Sequence, residues 1–474
     1  MTQPTYEQLW VENRQLKAEN AQLRQRVVGL EAQVEQLQTQ VRQLTAQLQE
    51  ALRAHKRQAA PFSKGPPKDP PATPGRKAGE HYGPKAHREI PRRAPDEILD
   101  LPLPRACLDC GGPTREDRQA QQFQTEIPRR PLYRRFDIHI GHCLRCGRRI
   151  QPRHPLQTSD ALGAAASQLG PDAQAAIVHL NKHAGLSQGK IADYFRTLFG
   201  IVLAPSGVCQ VLLRAARRCE DLYQRITDSL PQAPWIVPDE TGWRIGGTLA
   251  WMHGFVTACA TVYHVARRRG YEVAEGFIGT HYAGLLIHDG WAPYDRFVWA
   301  GHQQCLDHLR RRCLELLQTA RGRAALFPRQ VRQLLTDALT LRDRRDAGQL
   351  SAHGLAVTRG RLEARLGRLL YWPKTQPDNE RLAKHLDKHR QDLFTFLKVP
   401  GLDATNYRAE QAMRPAAVNR KVWGGNRTAA GAHAQSVLMT VLATCRQQAR
   451  DSLAFVADIL RGRRVRLRLL PSGP

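Results

Sequence analysis

Leucine recurs every seven residues at Leu9, Leu16, Leu23, Leu30, Leu37 and Leu44. A second seam runs through Asn13, Asn20, Val27, Val34, Val41 and Leu48. Leu on one seam and β-branched residues on the other predict a parallel two-stranded coiled coil over residues 5–54. The two asparagines would cost stability but fix register and strand number. The alternative is one long amphipathic helix packed on its own chain. The length of the repeat and the Gln, Arg and Glu on the other faces favour self-association. The periodicity then stops. From Pro61 to Pro95 there are nine prolines, and ten Lys or Arg lie between Lys56 and Arg93. That composition predicts an extended basic linker over 55–100.

Helical spacing returns over 156–230. In "GLSQGKIADYFRTLFGIVLAPSGVCQVLLRAARR" one apolar face carries Ile191, Tyr194, Phe195 and Leu198, and a second carries Val208, Val211 and Leu212. Ser206 is the expected N-cap of the second helix. Gln210, Arg214, Arg217 and Arg218 fall on its outer side. The pattern suits a DNA-binding helix-turn-helix and equally an ordinary helical hairpin.

Strand patterns follow. "WIVPDETGWRI" opens as an apolar run and turns acidic at Asp239 and Glu240. "LAWMHGFVTACA" and "TVYHVARR" alternate as half-buried strands. "GLLIHDGWAPY" repeats the opening design, with Asp289 after Leu285, Leu286 and Ile287. Two strands ending in Asp can bring two carboxylates to one sheet edge. "DATNYRAEQAMRP" places Glu410 in a helix that Asn406 or Thr405 can cap. Three such carboxylates can hold two Mg²⁺ or Mn²⁺ ions about 3.5–4 Å apart for in-line phosphoryl transfer. The plain alternative is that aspartates at strand ends form turns. Alternation turns Glu240 away from Asp239, and Pro238 restricts that point to a strand end or edge.

Charge changes the picture. The 474 residues, too many for one compact domain, hold 71 Lys plus Arg against 43 Asp plus Glu, a net charge of +28. Such an excess points to a polyanionic partner, most simply nucleic acid and here double-stranded DNA, with an anionic membrane surface as the weaker reading. No 18-residue apolar run exists and the first residues lack a signal-peptide layout, so an intracellular protein with no membrane span is expected. The ten cysteines are then thiols or metal ligands. Cys107 and Cys110, in "CLDCGG", and Cys143 and Cys146, in "HCLRCGRR", are two Cys-x-x-Cys pairs 32 residues apart. They predict a closed structural Zn²⁺ site in a module over 101–155. The intervening "LYRRFDIHI" reads as strand.

Chemistry elsewhere is less specific. Cys305 and Cys313 read as core residues of an amphipathic helix. Trp243 and Trp291 suit core packing or base stacking. Arg408, Arg414, Arg420, Lys421 and Arg427 flank Glu410 and are candidate phosphate contacts. The tail "RGRRVRLRLL" has five arginines and reads as a non-specific DNA contact or a disordered end.

Five segments, "PDETGW", "GLLIHDGWAPYDRF", "CLDHLRRRCLELL", "ATNYRAEQAMRPAAVNRKVWGGN" and "SVLMTVLATCRQQARD", resemble the insertion sequence 66 family of bacterial transposases. The resemblance covers nearly the whole chain. It implies a multidomain chain of mixed α and β structure: an N-terminal leucine zipper, a four-cysteine zinc module, a helical DNA-binding segment and a ribonuclease-H-like DDE domain over 231–450. A C-terminal helix and basic tail fill 451–474. Carried over by motif, the three acids are Asp239, Asp289 and Glu410. Asp289 and Glu410 stand 121 positions apart, which fits the helical insertion such transposases carry, here about 305–395. His308 and Arg311 would lie near the catalytic sheet. The chain departs from the family pattern at Tyr407, where a second Asn is common, and at His288, where small or polar residues are frequent.

The resemblance implies a bacterial enzyme of the nucleoid. It would bind transposon ends, cut a strand, and join the freed 3′-hydroxyl to target DNA. Its partners would be DNA, a second or further copy through the zipper, and helper proteins of the same element. The competing reading is a dimeric, zinc-containing DNA-binding regulator that has lost catalysis; all three acids being present speaks against it.

Overall fold

The computed structural model describes residues 6–55 and 94–471, apart from 103, 107–109, 126, 128–129 and 164–167. The chain divides into two compact units after Gln121. In the first, α1 (Tyr6–His55) is one continuous helix of 50 residues. Both seams lie open along it: Leu16, Leu23, Leu30, Leu37 and Leu44 are exposed, as are Val27, Val34 and Val41. Most of the expected linker, 56–93, and Cys107 lie outside the described residues.

The second unit begins with irregular chain. The strand expected at Leu132–Ile140 does not form; those residues have no regular structure. Instead β1 (Gly141–His142) and β2 (Arg149–Ile150) pair antiparallel as two-residue strands around the Cys143–Cys146 turn. Next come α2 (Pro171–Lys182), α3 (Gln188–Phe199) and α4 (Pro205–Asp228). Ser206 is not the cap. Pro205 starts α4 from Ala204, as suits a residue whose missing N–H has no partner to lose there, whereas Ser187 caps α3 by accepting from Lys190 N–H. Val208, Val211 and Leu212 are buried as expected, and Gln210, Arg214, Arg217 and Arg218 are exposed.

The central sheet holds β3 (Trp235–Ile245), β4 (Thr248–Val256) and β5 (Thr261–Ala266). After α5 (Tyr271–Ile278) come β6 (Leu285–His288) and β7 (Gly301–Gln304). The order is β5-β4-β3-β6-β7: β3, β4 and β5 are antiparallel, and β6 and β7 run parallel to β3. Four helices follow, α6 (Leu306–Thr319), α7 (Leu326–Asp346), α8 (Ala352–Tyr371) and α9 (Pro377–Lys388), where the helical insertion was expected. The short α10 (Thr395–Lys398) leads to α11 (Tyr407–Trp423), α12 (Ala429–Gln447) and α13 (Ser452–Leu460).

Alternation sorts the two faces of the sheet. Ile236, Phe255, Val262 and Leu286 pack into one core with α2, α3, α4, α12 and α13. Val237, Val256 and Ile287 point the other way, under α6, α7, α8 and α9. Trp243, Ile245 and Met252 continue that second face beneath Met413 of α11. The helix-turn-helix segment therefore shares a core with the sheet and has none of its own. The arginine-rich tail also leans on that core, through Val465, Leu467 and Leu469.

Candidate active site

Register fixes the first two acids. Trp235 pairs with Leu285 and Ile236 with Leu286, in parallel. Asp239 and Asp289 each stand four residues beyond the first pair, so they are level with one another. With a period of two they also share the face of Val237 and Ile287. Asp239 is not at the end of its strand, as the sequence suggested. β3 runs on to Ile245, and Asp239 pairs with Gly254 of β4. Pairing with β6 stops at Ile236, so β3 has an open edge there. An open edge is where a strand tolerates Pro238. Asp289 follows the last residue of β6, and its Oδ1 accepts from Trp291 N–H at 2.9 Å.

Glu410 lies in the first turn of α11, which crosses the same face. Met413, three residues on, sits against Gly254: a Cβ added there would fall 2.5 Å from Met413 Sδ. Because Gly254 is the register partner of Asp239, this close approach sets the helix over the acids. Asn406 occupies the cap position but makes no side-chain cap bond. Its backbone N–H instead donates to Cys305 Sγ at 3.4 Å. Cys305 and Cys313 are buried core residues.

Electrostatics separates Asp239 from its neighbour. Burial pushes the Asp239 carboxyl up to about 7, and Glu240, Asp289 and Glu410 push in the same direction; the Glu240 N–H alone opposes them. Among the described residues Asp239 and Asp289 have no cationic side chain paired to them. Glu240 projects to the opposite face, with a side chain 3% exposed. There it accepts from Arg269 Nε at 3.0 Å and from the Tyr294 hydroxyl at 2.9 Å. Glu410 Oε1 lies 3.6 Å from His308 Nε2 and 3.9 Å from Arg311, both on α6.

Three carboxylates with a surplus of negative charge suit hard divalent cations by their donor chemistry. Among the described residues no three His, Cys, Asp or Glu side chains are gathered as a ready cage; Glu410 is turned to α6. Cys143 and Cys146 flank a tight turn, in which Cys143 N–H donates to Arg148 O at 2.8 Å and Gly147 has φ +70°. The Cys146 and Arg145 N–H groups and the Cys146 thiol draw the Cys143 thiol below its usual value. That favours the thiolate a metal ion needs.

The basic residues near Glu410 divide. Arg414, Lys421 and Arg427 are exposed. Arg408 is ion-paired with Asp403 and lies over the Trp235 ring. Arg420 donates to the Gly242 carbonyl, so it struts α11 to β3 rather than standing free for phosphate. Trp243 is fully buried against Trp423, and the Trp291 ring is covered by Arg269, 4.3 Å from its centroid; neither is a free stacking platform. Arg269 and Tyr294 escaped the sequence reading because no spacing links them to Glu240.

Among the described residues no helix is long and apolar enough to cross a membrane. In comparison with known families, residues 166–434 match the one described as Transposase IS66 family. No curated protein matches the chain.

Proposed function

The chain belongs to the IS66 family of transposases, and from that premise we propose that Asp239, Asp289 and Glu410 are the carboxylates with which it cuts and joins DNA. One observation carries this reading. Asp239 is half-buried on the same face as Asp289 and Glu410, where it has no cationic partner among the described residues, while Glu240 beside it is ion-paired with Arg269. An isolated buried carboxylate is unfavourable unless a counter-ion reaches it. The strand order, three antiparallel then two parallel, supports a ribonuclease-H-like domain with the helices from α6 to α9 as its insertion.

Two Mg²⁺ or Mn²⁺ ions held there would activate the attacking oxygen and stabilise the leaving one. The chain's own residues do the rest. The three carboxylates bind and space the cations. Glu410 is held by His308 and Arg311 until it is drawn to the site. Arg414, Lys421 and Arg427, exposed on and after α11, take DNA phosphates. Gln210 and Arg214, outward on α4, contact the terminal inverted repeats. First a DNA strand is hydrolysed at the element's end; then its 3′-hydroxyl attacks target DNA. The open leucine seams of α1 support pairing of two copies, which suits joining two ends. The four-cysteine spacing supports a structural zinc, for which one Zn²⁺ per purified chain is the check. Helper proteins of the same element complete the reading, with the bacterial nucleoid as its setting.

Asp239→Asn, Asp289→Asn and Glu410→Gln test it. Each variant is expected to bind transposon-end DNA as the parent does and to lose strand cleavage and strand transfer by at least about 100-fold. Retained cleavage in any one removes that residue from the site.

A further inference from the structure

Each candidate aspartate has a neighbour that points through the sheet. Glu240 follows Asp239 and His288 precedes Asp289, and both side chains lie on the face opposite the acids. Tyr294 joins them there. Its hydroxyl donates to Glu240 Oε2 at 2.9 Å, and its ring lies 5.1 Å from the His288 ring. Tyr294 and His288 are both fully buried.

A directed chain of hydrogen bonds extends from His288. Gly290 N–H, which can only donate, points at His288 Nδ1 at 3.2 Å. That nitrogen therefore carries no proton, and the neutral ring bears its proton on Nε2. Nε2 lies 3.0 Å from His302 Nδ1, so His302 in turn carries its proton on Nε2 and donates to the Phe297 carbonyl at 3.1 Å. The chain starts at the residue after Asp289 and ends at Phe297. Both ends of the 290–297 segment, which contains Tyr294, are thereby tied to β6 and β7.

We propose that Tyr294, His288 and His302 form a positioning brace that fixes the separation of Asp239 and Asp289, and so sets how tightly the pair holds a divalent cation. This rests on the reading of the two aspartates as metal ligands. The brace touches no substrate; it acts through Glu240 and Gly290, the backbone neighbours of the acids.

The test uses the full-length chain and Mn²⁺ alone, with binding read by calorimetry and stability by the thermal midpoint. Tyr294→Phe keeps the ring and removes only the bond to Glu240. It is expected to weaken Mn²⁺ binding roughly tenfold, as loss of an outer-shell partner does, with the thermal midpoint nearly unchanged. His302→Gln, which can still donate to Phe297 but no longer orders His288 in the same way, is expected to weaken binding similarly. Mn²⁺ affinity within twofold of the parent in both variants overturns the brace, whatever happens to the midpoint. The doubly substituted Asp239→Asn, Asp289→Asn chain separates the two ideas. If it loses the Mn²⁺ sites while both brace variants keep them, the brace alone fails. If it binds Mn²⁺ like the parent, the metal reading fails and takes the brace with it.

Discussion

Asp239 and Glu240 are adjacent carboxylates in one strand, and burial raises both, yet their partners differ. Glu240 has a guanidinium and a phenol; Asp239 has other acids. The difference is testable by pH. Asp239 takes up its proton near 7 in the fold against an ordinary value of 3.8. A raised folded-state value stabilises the fold fully below the unfolded value, and that contribution is lost as pH rises through the folded one. In the metal-free protein, Asp239→Asn is therefore expected to match the parent near pH 4 and to exceed its stability above pH 7, by about 4 kcal/mol. Urea denaturation in chelator from pH 4 to 8 measures it; a gap that shrinks with rising pH contradicts the assignment. At this scale the sequence showed which carboxylate faces which way, because strand alternation is local. It did not show what Glu240 meets, since Arg269 and Tyr294 arrive from segments distant in the chain.

α11 carries Glu410, and its placement depends on two close approaches to the sheet. One is Met413 on Gly254. The other is the exit of the helix at Gly424 and Gly425, where Asn426 N–H donates to Arg244 O at 2.9 Å and Asn426 Oδ1 accepts from Trp243 Nε1 at 2.8 Å. Gly425 has φ +114°, and a Cβ there would fall 2.5 Å from the Arg244 carbonyl oxygen. Gly425→Ala is expected to destabilise the fold by roughly 1–3 kcal/mol. It should also reduce cleavage more than DNA binding, because the helix bearing Glu410 shifts; equal loss of both argues against that coupling. Elements themselves were largely legible. The apolar alternation of "LAWMHGFVTACA" and "TVYHVARR" became β4 and β5, and the Leu- and Arg-rich stretch after Cys305 became four helices. Their ends were less so. Pro205 displaced Ser206 at the start of α4, Asn406 was drawn to Cys305 by its backbone, and β3 continued through Asp239 because β4 pairs with it on one side.

Over the whole chain, a net charge of +28 stands beside the few acids of the proposed site, a balance suited to a polyanionic substrate whose reaction needs cations. The open seams of α1 extend this to assembly. A chain lacking residues 6–55 is expected to sediment with fewer copies per particle than the full chain, and the same number of copies in both removes the zipper from assembly. Family and sheet were readable in sequence because motifs such as "PDETGW" are contiguous; the shared core of α4 and the sheet was not, because it forms between segments far apart in the chain. The most direct test of the proposed metal-binding carboxylates is the cation preference of Asp289→Cys. A thiolate is a soft ligand that Mg²⁺ refuses and Mn²⁺ accepts more readily. Cleavage of transposon-end DNA by this variant is expected to fail in Mg²⁺ and to return in Mn²⁺. A variant that cleaves in Mg²⁺ as well as the parent does would contradict a metal ligand at Asp289, and with it the assigned site.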